Sequence, residues 1–311
     1  MKKPAVIVVS HNTRLALAEC LASVVAESAV EIVVVDNAST DGSAAMVHTD
    51  FPEARLITNL HNPGFGAAAN QGLRICTAPY ALLLNADTRL LPGTLVLLKG
   101  TLDRDLNAAI VGPRIVGIEG HLQISAFPFP TLLPVFLDLA GFAPGNRWLR
   151  RALGSEPSEP RQVDWVLGAA MMLRCEAILA IGGFDEGYSM YFEETDLCYR
   201  LCELEWRTLF VDSATIVHIG GASTVQGRHW WDVQLFRSRF RFYRCHYSPG
   251  RLVGLRLVVG TGMAAKLGRD VVRRAVAQDH SSRSRLREDI RIWSRVLGMA
   301  VRGDDERACR P

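Results

Sequence analysis

The sequence Leu82-Leu83-Leu84-Asn85-Ala86-Asp87-Thr88 is an apolar run that ends abruptly in Asn-Ala-Asp. The pattern predicts a buried strand with two polar side chains at its carboxyl end. Ligands of open α/β sheets bind at that edge, and a carboxylate there is a natural ligand for a divalent cation that holds a diphosphate. Taken alone, the same stretch equally fits a strand that runs into a polar turn capped by Asp87.

The rest of the chain repeats this alternation of apolar strands and helices. Together the elements predict a largely parallel sheet covered by helices on both faces up to about residue 114. Four strands are predicted at residues 5–9, 31–35, 56–59 and 80–84, with helices at 15–27 and 67–74 and a short helix after 36–43. A strand at 163–173, helices at 176–181 and 194–205 and a last strand at 208–218 follow.

Size and composition indicate one large domain with an appendage, since the 311 residues are 49% hydrophobic and 22% charged. No stretch reaches the roughly 20 apolar residues of a membrane-spanning helix. The residues after Met1 lead into a strand-length apolar run, shorter than the core of a signal peptide. The seven cysteines are odd in number and scattered, which predicts reduced thiols in a cytoplasm.

Charge is distributed unevenly along the chain. Residues 1–227 carry 16 Lys and Arg against 24 Asp and Glu, whereas residues 228–311 carry 19 against 8. This basic tail is predicted to form helices at 230–247, 252–277 and 283–301. A basic amphipathic tail suits the surface of an anionic membrane, and a helical packing arm or oligomer interface is the alternative. Nucleic acid is disfavoured as a partner, because no base-reading module is recognisable.

An irregular insert interrupts the alternation between residues 118 and 161. It is apolar and rich in proline, and residues 155–160 have the composition of a flexible loop. Such inserts usually shape or cover a substrate pocket, so this segment is expected to do the same or to touch a membrane.

Carboxylates follow strands at two positions and open a helix at a third. Asp36 follows three valines, where it can accept from a base N–H or a ribose hydroxyl, or organise an Asx turn. The Gly64-Phe65-Gly66 turn permits close approach of backbone to a ligand, although its spacing disfavours a dinucleotide fold.

Glu193 and Glu194 are adjacent and repel each other, which raises the pKa of one of them toward that of a general base, or else they only cap a helix. Asp196 is predicted to pair with Arg200 along that helix.

His218 ends the last strand, next to a glycine-rich turn. A single histidine there is commonly a core or turn residue. At the same sheet edge as Asp87 it would complete a metal site.

Five ordered motifs together resemble family 2 glycosyltransferases of the GT-A fold, and most of all the rhamnosyltransferase-type enzymes of bacterial surface-polysaccharide and cell-wall assembly. The resemblance spans about residues 5 to 247. The motifs are Ser-His-Asn-Thr after the first strand, Val-Val-Asp-Asn-Ala-Ser-Thr-Asp-Gly-Ser, Asn-Pro-Gly-Phe-Gly-Ala-Ala-Ala-Asn, Leu-Leu-Asn-Ala-Asp, and Gly-Gly-Phe-Asp-Glu followed by Tyr-Phe-Glu-Glu-Thr-Asp-Leu-Cys-Tyr-Arg.

The resemblance implies a role for each site residue. The nucleotide-sugar pocket would be lined by Ser10, Asn12, Thr13, Asp36, Asn62, Gly64, Asn85, Ala86, Asp87, Trp165 and Gly168. Asp87 would bind Mg²⁺ or Mn²⁺ with His218 as a further ligand. Glu194 stands where the family has the Asp of its catalytic Glu-Asp pair, so Glu193 remains the other candidate for the base.

The implied architecture is an α/β GT-A domain, Rossmann-like with a mixed and mainly parallel sheet flanked by helices, at residues 1–228, followed by a basic helical extension at 229–311. The implied reaction is one inverting displacement that moves a sugar, rhamnose or a related one, from a dTDP- or UDP-linked donor to a glycan or polyprenyl-linked acceptor. The implied location is cytoplasmic and peripheral on the inner face of the cell membrane. The sequence leaves the sugar, the linkage and the oligomeric state open.

Two alternatives remain at this stage. A nucleotidyltransferase would share the sheet, but the early glycine-rich loop with phosphate-binding Arg and Lys is absent between residues 9 and 15. A catalytically silent nucleotide- or glycan-binding subunit is favoured by the two departures from the family pattern, Asn85 and Glu194.

Overall fold

A computed structural model describes residues 3–27, 31–140, 160–220, 228–303 and 309. The chain divides into two compact units. Unit 1 comprises Met1–Phe129, Trp148–Ser189 and Glu193–Val225, and unit 2 comprises Pro130–Arg147, Met190–Phe192 and Gln226–Pro311. Most of the loop predicted at 155–160 lies outside the described residues.

Unit 1 contains the alternating strands and helices that the sequence predicts. In chain order, with α5 of unit 2 at its place in the chain, they are β1 (Ala5–Ser10), α1 (Arg14–Ala26), β2 (Glu31–Asp36), α2 (Ser43–Asp50), β3 (Arg55–Thr58), α3 (Phe65–Ile75), β4 (Tyr80–Asn85), β5 (Thr88–Leu90), α4 (Thr94–Arg104), β6 (Ala108–Val116), β7 (Leu122–Gln123), β8 (Ala126–Phe127), α5 (Leu132–Leu139), β9 (Arg161–Val163), β10 (Trp165–Val166), β11 (Ala170–Arg174), α6 (Cys175–Ala180), α7 (Glu193–Cys202) and β12 (Arg207–His218).

The main sheet has the strand order β3-β2-β1-β4-β11-β6-β12-β5. The first four strands are parallel, as are β6 and β12, whereas β11 runs antiparallel between β4 and β6. The register pairs Ser10 with Asp36 and Val9 with Asn85. The carboxyl ends of β1, β2 and β4 therefore meet at one edge, where the sequence places its polar residues.

Apolar residues alternate along the central strands and face two separate layers of helices. Val6 and Leu82 belong to one buried cluster with Leu21 of α1, whereas Ile7 and Leu83 belong to the other with Leu73 of α3. Because successive side chains of a strand point to opposite faces, a continuous apolar run is what a doubly covered sheet requires.

The segment predicted as one strand at 163–173 is broken. The structure divides it into β9, β10 and β11, separated by turns. At the second turn the Leu167 N–H donates to the Ser125 carbonyl, and the Ala169 carbonyl accepts from the Asn85 N–H. The prediction was wrong here because apolar periodicity does not show where a chain leaves one sheet for another.

Unit 2 is helical. Its elements are α5, α8 (Arg228–His246), α9 (Pro249–Val276) and α10 (His280–Arg302), so the three predicted C-terminal helices are confirmed. Asp270 of α9 is buried, and accepts from Trp293 Nε1 of α10 at 3.1 Å and from Arg269 Nε at 3.0 Å. Within the described ranges, every helix is too short or too polar to cross a bilayer.

The structure corrects the prediction that all cysteines are reduced. Cys245 at the end of α8 forms a disulfide with Cys309, with a Cα–Cα distance of 5.5 Å. The partners lie 64 residues apart, and scattered cysteines at such a separation give no pairing signal in the sequence. The free thiols are Cys20, Cys76, Cys175, Cys198 and Cys202.

Candidate active site

Asp87 and His218 lie together at the edge of the sheet in unit 1. The His218 Nε2 atom is 3.3 Å from Asp87 Oδ1, and both side chains are largely buried. The antiparallel pairing of β12 with β5, which sets His218 opposite Thr88, produces this contact. The structure therefore brings the two predicted metal ligands side by side although they are far apart in the sequence.

Gln123 of β7 fixes the orientation of the His218 ring. Its Nε2 atom donates to the His218 carbonyl at 2.8 Å, so its Oε1 atom faces the His218 Nδ1 atom at 2.9 Å. Nδ1 must then be the donor, and Nε2 of a neutral ring presents a lone pair to the Asp87 carboxylate. Two acceptors that face each other at this distance are satisfied by a cation bound between them or by protonation of the imidazole.

These residues fit a divalent cation that shares its ligands with a substrate. No group of three or more His, Cys, Asp or Glu side chains gathers as a metal site anywhere in the described part of the chain. Mg²⁺ in nucleotide enzymes is commonly held by one or two carboxylates together with substrate phosphates and water. A two-residue site with an oriented imidazole satisfies that requirement.

Asp36 is buried at the end of β2. Its Oδ2 atom accepts from the Ser39 N–H at 3.0 Å, which is the turn-organising contact that the sequence left open. Its Oδ1 atom is also buried and meets no hydrogen-bond donor among the described residues. One oxygen thus builds the turn and the other is available to a ligand.

The turn after β1 is tied to the turn after β2. The Ser10 and Thr13 hydroxyls lie 3.0 Å apart in the interior, while Asn12, at φ +51°, accepts from the Thr40 N–H at 2.7 Å through its side chain. The Asn12 N–H donates to the Ser39 hydroxyl at 2.9 Å. Asn12 therefore holds the turns after β1 and β2 together, and its side-chain oxygen already accepts a hydrogen bond.

Asn62 and Gly64 shape a third turn at the opening of α3. The Asn62 Oδ1 atom accepts from the Gly64 N–H at 3.0 Å. Gly64 adopts φ +96°, and a Cβ atom there would lie 3.1 Å from the Ser189 carbonyl oxygen. The position requires glycine for both reasons.

The acidic pair opens α7. Glu194 Oε1 accepts from the Gly168 N–H at 3.3 Å, across the turn that breaks the predicted strand. The Oε2 atoms of Glu193 and Glu194 are both buried and make no hydrogen bond with any residue that the structure describes. Burial, followed by the charge of Glu194, raises the pKa of Glu193 well above its ordinary value, and burial also raises the pKa of Glu194. Each carboxyl is thereby shifted toward the range of a general base.

Trp165 is held in place by its own contacts. Its Nε1 atom donates to the Pro128 carbonyl at 2.9 Å, and its ring stacks on Phe127 with centroids 4.3 Å apart. The indole N–H is therefore occupied, and an aromatic face remains the part of Trp165 that can meet a sugar.

Two contacts of the site escaped the sequence analysis. Gln123 lies in the irregular insert, and no local pattern connects it with His218. Buried Asn70 of α3 accepts from the Phe184 N–H at 2.8 Å and donates to the Phe184 carbonyl at 3.0 Å, which fixes the turn before the acidic pair. Asn70 is the last residue of the motif Asn-Pro-Gly-Phe-Gly-Ala-Ala-Ala-Asn, and no separate role was predicted for that position.

The predicted pair of Asp196 and Arg200 is present. The Arg200 Nε atom is 2.8 Å from Asp196 Oδ2, and the guanidinium also donates to the Gly183 carbonyl at 2.8 Å. Asp196 therefore stabilises the fold of this segment.

Comparison with known proteins adds to this geometry. The model of the family described as "Glycosyl transferase family 2" matches residues 5–152. An N-acetylglucosaminyl-diphospho-decaprenol L-rhamnosyltransferase of Mycobacterium tuberculosis is 31% identical over 217 residues, which cover 65% of this chain and 70% of that protein. A pre-mycofactocin glycosyltransferase of the same species is 32% identical over 197 residues, which cover 61% of this chain and 37% of that protein.

The fold is also similar to that of a mannosyltransferase, PcManGT from Pyrobaculum calidifontis, solved in complex with GDP-Man and Mn²⁺. The match has a TM-score of 0.59 and covers 97% of this chain and 86% of that one, at 17% identity. At this identity the likeness establishes the fold alone.

Proposed function

This chain belongs to glycosyltransferase family 2 and has the GT-A fold, and we propose that it is a metal-dependent, inverting enzyme of bacterial polysaccharide or cell-wall assembly. It transfers a sugar such as rhamnose from a dTDP- or UDP-linked donor to a glycan or polyprenyl-linked acceptor. The observation that carries the proposal is the Asp87–His218 contact at 3.3 Å, formed at the edge where Asp36 also ends its strand.

The donor is assigned to the carboxyl ends of β1, β2 and β4. The unpaired Asp36 Oδ1 accepts from the nucleotide base or ribose. Asp87 and the Nε2 atom of His218 would hold Mg²⁺ or Mn²⁺, and the bound cation would neutralise negative charge on the leaving diphosphate. Asn85 and Ala86 precede Asp87 on this edge, and the tied turns at Ser10, Thr13 and Asn62 enclose the nucleotide.

The acceptor hydroxyl is deprotonated by Glu194. Its Oε1 atom is anchored by the Gly168 N–H, which leaves Oε2 to take the proton, and burial raises its pKa. The hydroxyl oxygen then displaces the nucleoside diphosphate from the anomeric carbon with inversion. Glu193 is the second candidate for this base, because its Oε2 atom is equally buried and without a partner among the described residues.

We assign the chemistry to residues 1–228 and surface binding to the basic extension at 229–311. The exposed face of α9 carries Val253, Leu257, Val271 and Val272, with Arg269 and Arg273 alongside. Apolar side chains flanked by arginines suit an anionic bilayer surface, so we place the enzyme peripherally on the inner face of the cell membrane. This location brings it to polyprenyl-linked acceptors such as the one in the name of the mycobacterial relative.

The test is a thermal-shift titration of the full chain with dTDP and UDP, in Mg²⁺ or Mn²⁺, on wild type, Asp87→Ala and Asp50→Ala. Asp50 is exposed at the end of α2, away from the strand ends, and serves as the control. A ligand specific for the folded state at a hundredfold excess over its Kd stabilises it by about 2.7 kcal/mol. Stabilisation is expected to depend on metal, to disappear in Asp87→Ala and to persist in Asp50→Ala.

A silent binding subunit is separated from an enzyme by turnover of the donor. Metal-dependent hydrolysis of a dTDP- or UDP-sugar that vanishes in Asp87→Ala excludes the silent subunit. A folded chain that is stabilised by no nucleotide in either metal refutes the proposed function.

A further inference from the structure

Arg239 lies in unit 2, on α8, between two aromatic rings. The centre of its guanidinium is 5.2 Å from the centroid of the Phe236 ring and 6.0 Å from that of Phe192. The side chain is partly buried. Planar guanidinium groups stack on aromatic faces and recognise phosphates with two parallel hydrogen bonds.

This cation has no counter-ion in the described part of the chain. Its Nε atom is buried without a hydrogen-bond partner, and no carboxylate there forms an ion pair with it. Burial lowers the pKa of Arg239, and Asp138 of α5 opposes that shift electrostatically from outside ion-pair distance. An arginine nevertheless stays charged in proteins, so the positive charge is held here at a free-energy cost that an anionic ligand would offset.

A second polar group one helical turn away also lacks a partner. The Tyr243 hydroxyl is buried and makes no hydrogen bond to any described residue. Residues four apart on a helix are neighbours, so Tyr243 and Arg239 share one face of α8. Burial raises the pKa of Tyr243 to about 12, so the phenol keeps its proton at neutral pH and remains a donor.

Residues 190–192, which directly precede the acidic pair, contact the same helix α8. Tyr191 and Phe192 adopt φ +64° and +71°, a conformation that costs an L-residue about 1–2 kcal/mol and that the surroundings must enforce. The Ser238 hydroxyl donates to the Met190 carbonyl at 2.7 Å, and the Phe192 and Phe242 rings are 5.5 Å apart. Phe192, an aromatic partner of Arg239, directly precedes Glu193 in the sequence.

We propose that Arg239 and Tyr243 bind the diphosphate of a polyprenyl-linked acceptor. The inference rests on the proposed function and names the acceptor chemistry for it. A nucleoside diphosphate is the other source of the same group, but Asp87 and His218 already account for the diphosphate of the donor.

Unit 2 also offers apolar surface for the isoprenoid chain. Leu133 and Phe136 of α5 are 63% and 52% exposed, on the helix whose Asp138 acts electrostatically on Arg239. The Tyr247 hydroxyl donates to the Pro130 carbonyl at 2.9 Å, which ties the end of α8 to the segment that leads into α5. A diphosphate at Arg239 would therefore have exposed aliphatic and aromatic side chains within the same unit.

The test measures binding of farnesyl diphosphate and of farnesol to the full chain by isothermal titration, with the donor site filled by dTDP and Mg²⁺. Wild type is compared with Arg239→Gln, Arg239→Lys and Arg104→Gln, the last being an exposed arginine at the end of α4 in unit 1. Arg239→Gln is expected to lower the affinity for farnesyl diphosphate by about 10- to 100-fold, because a hydrogen bond to a charged group changes a binding constant by roughly that factor. Arg239→Lys is expected to bind farnesyl diphosphate with intermediate affinity and Arg104→Gln with the affinity of wild type. The affinity for farnesol is expected to be the same in Arg239→Gln as in wild type.

Equal farnesyl diphosphate affinity in wild type and Arg239→Gln overturns the inference. Loss of dTDP affinity in Arg239→Gln, with farnesyl diphosphate unaffected, also overturns it, because the diphosphate would then be that of the donor. Both results leave nucleotide binding by wild type intact, whereas failure of the proposed function would remove it. Retained dTDP and Mg²⁺ binding in Arg239→Gln shows that the variant is folded.

Discussion

Replacing Gly183 by alanine tests whether the contact with Asn70 stabilises the glycine turn at residues 182–184. Gly183 has φ +77°, and an added Cβ atom would overlap Asn70 Oδ1 and lie 3.1 Å from Asn70 Cγ. The left-handed conformation costs an L-residue about 1–2 kcal/mol. Displacing the Asn70 amide breaks at least one of its buried bonds to Phe184, at about 1–3 kcal/mol. Gly183→Ala is therefore expected to lower the free energy of unfolding by about 2–5 kcal/mol.

Gly120 provides a matched control in unit 1. It has the same φ of +77°, but nothing lies within 4 Å of its added Cβ atom. Gly120→Ala should therefore show only the backbone strain of about 1–2 kcal/mol. Urea unfolding of both variants is followed by tryptophan fluorescence. The difference between their losses in the free energy of unfolding is the part caused by the overlap with Asn70.

The double variant Asn70→Ala/Gly183→Ala separates the overlap from other causes. Without the Asn70 amide, the new methyl group at position 183 has no atom to overlap. The double variant should therefore lose clearly less free energy of unfolding than the sum of the two single losses. Equal losses in Gly183→Ala and Gly120→Ala, or strict additivity in the double variant, would refute the reasoning.

Two further predictions concern the acidic pair. Glu194→Gln should lower the transfer rate by about 10²- to 10⁴-fold with nucleotide affinity unchanged, as loss of a general base requires; initial rates that match wild type would reassign the base. The raised pKa of Glu193 means that the folded chain binds a proton more tightly than the unfolded chain, so stability is lost as pH rises from the unfolded value through the folded pKa. Urea midpoints of wild type and Glu193→Gln between pH 5 and pH 8 should diverge in favour of the variant as pH rises, and parallel curves would contradict this assignment.

The local pattern of apolar and polar residues was sufficient to predict most strands and helices of unit 1. Strands β1, β2 and β4 were predicted because their apolar runs end abruptly in Ser10, Asp36 and Asn85, and the observed ends differ from prediction by one residue. The antiparallel direction of β11 was not predictable, since side-chain periodicity is the same in both directions. The break at Gly168 was missed for a related reason, because its N–H leaves the ladder to bond Glu194 Oε1.

Some residues of the candidate site were predicted from the sequence, and others are recognised only from their tertiary contacts. Asp87 and His218 were predicted as metal ligands from strand ends and from resemblance, and their contact at 3.3 Å fits that prediction. Gln123 was not predicted, because it is recognised only by its bonds to His218. Arg239, for which we propose a role, was not predicted either, because only the aromatic rings around it mark it. Such contacts depend on tertiary structure and leave no spacing in the sequence.

The acidic cluster at 193–196 shows why partners, and not charge alone, separate structure from site. Asp196 is buried and its Oδ2 atom pairs with Arg200 Nε at 2.8 Å, which is the kind of partner that folding requires of an interior carboxylate. Glu193 and Glu194, three and two residues earlier, each keep a buried oxygen without a hydrogen-bond partner among the described residues. Folding gains nothing from such an atom, and the same is true of Asp36 Oδ1. Ligands would supply the missing partners of these buried acceptors, so we propose that the three carboxylates belong to the site and that Asp196 belongs to the scaffold.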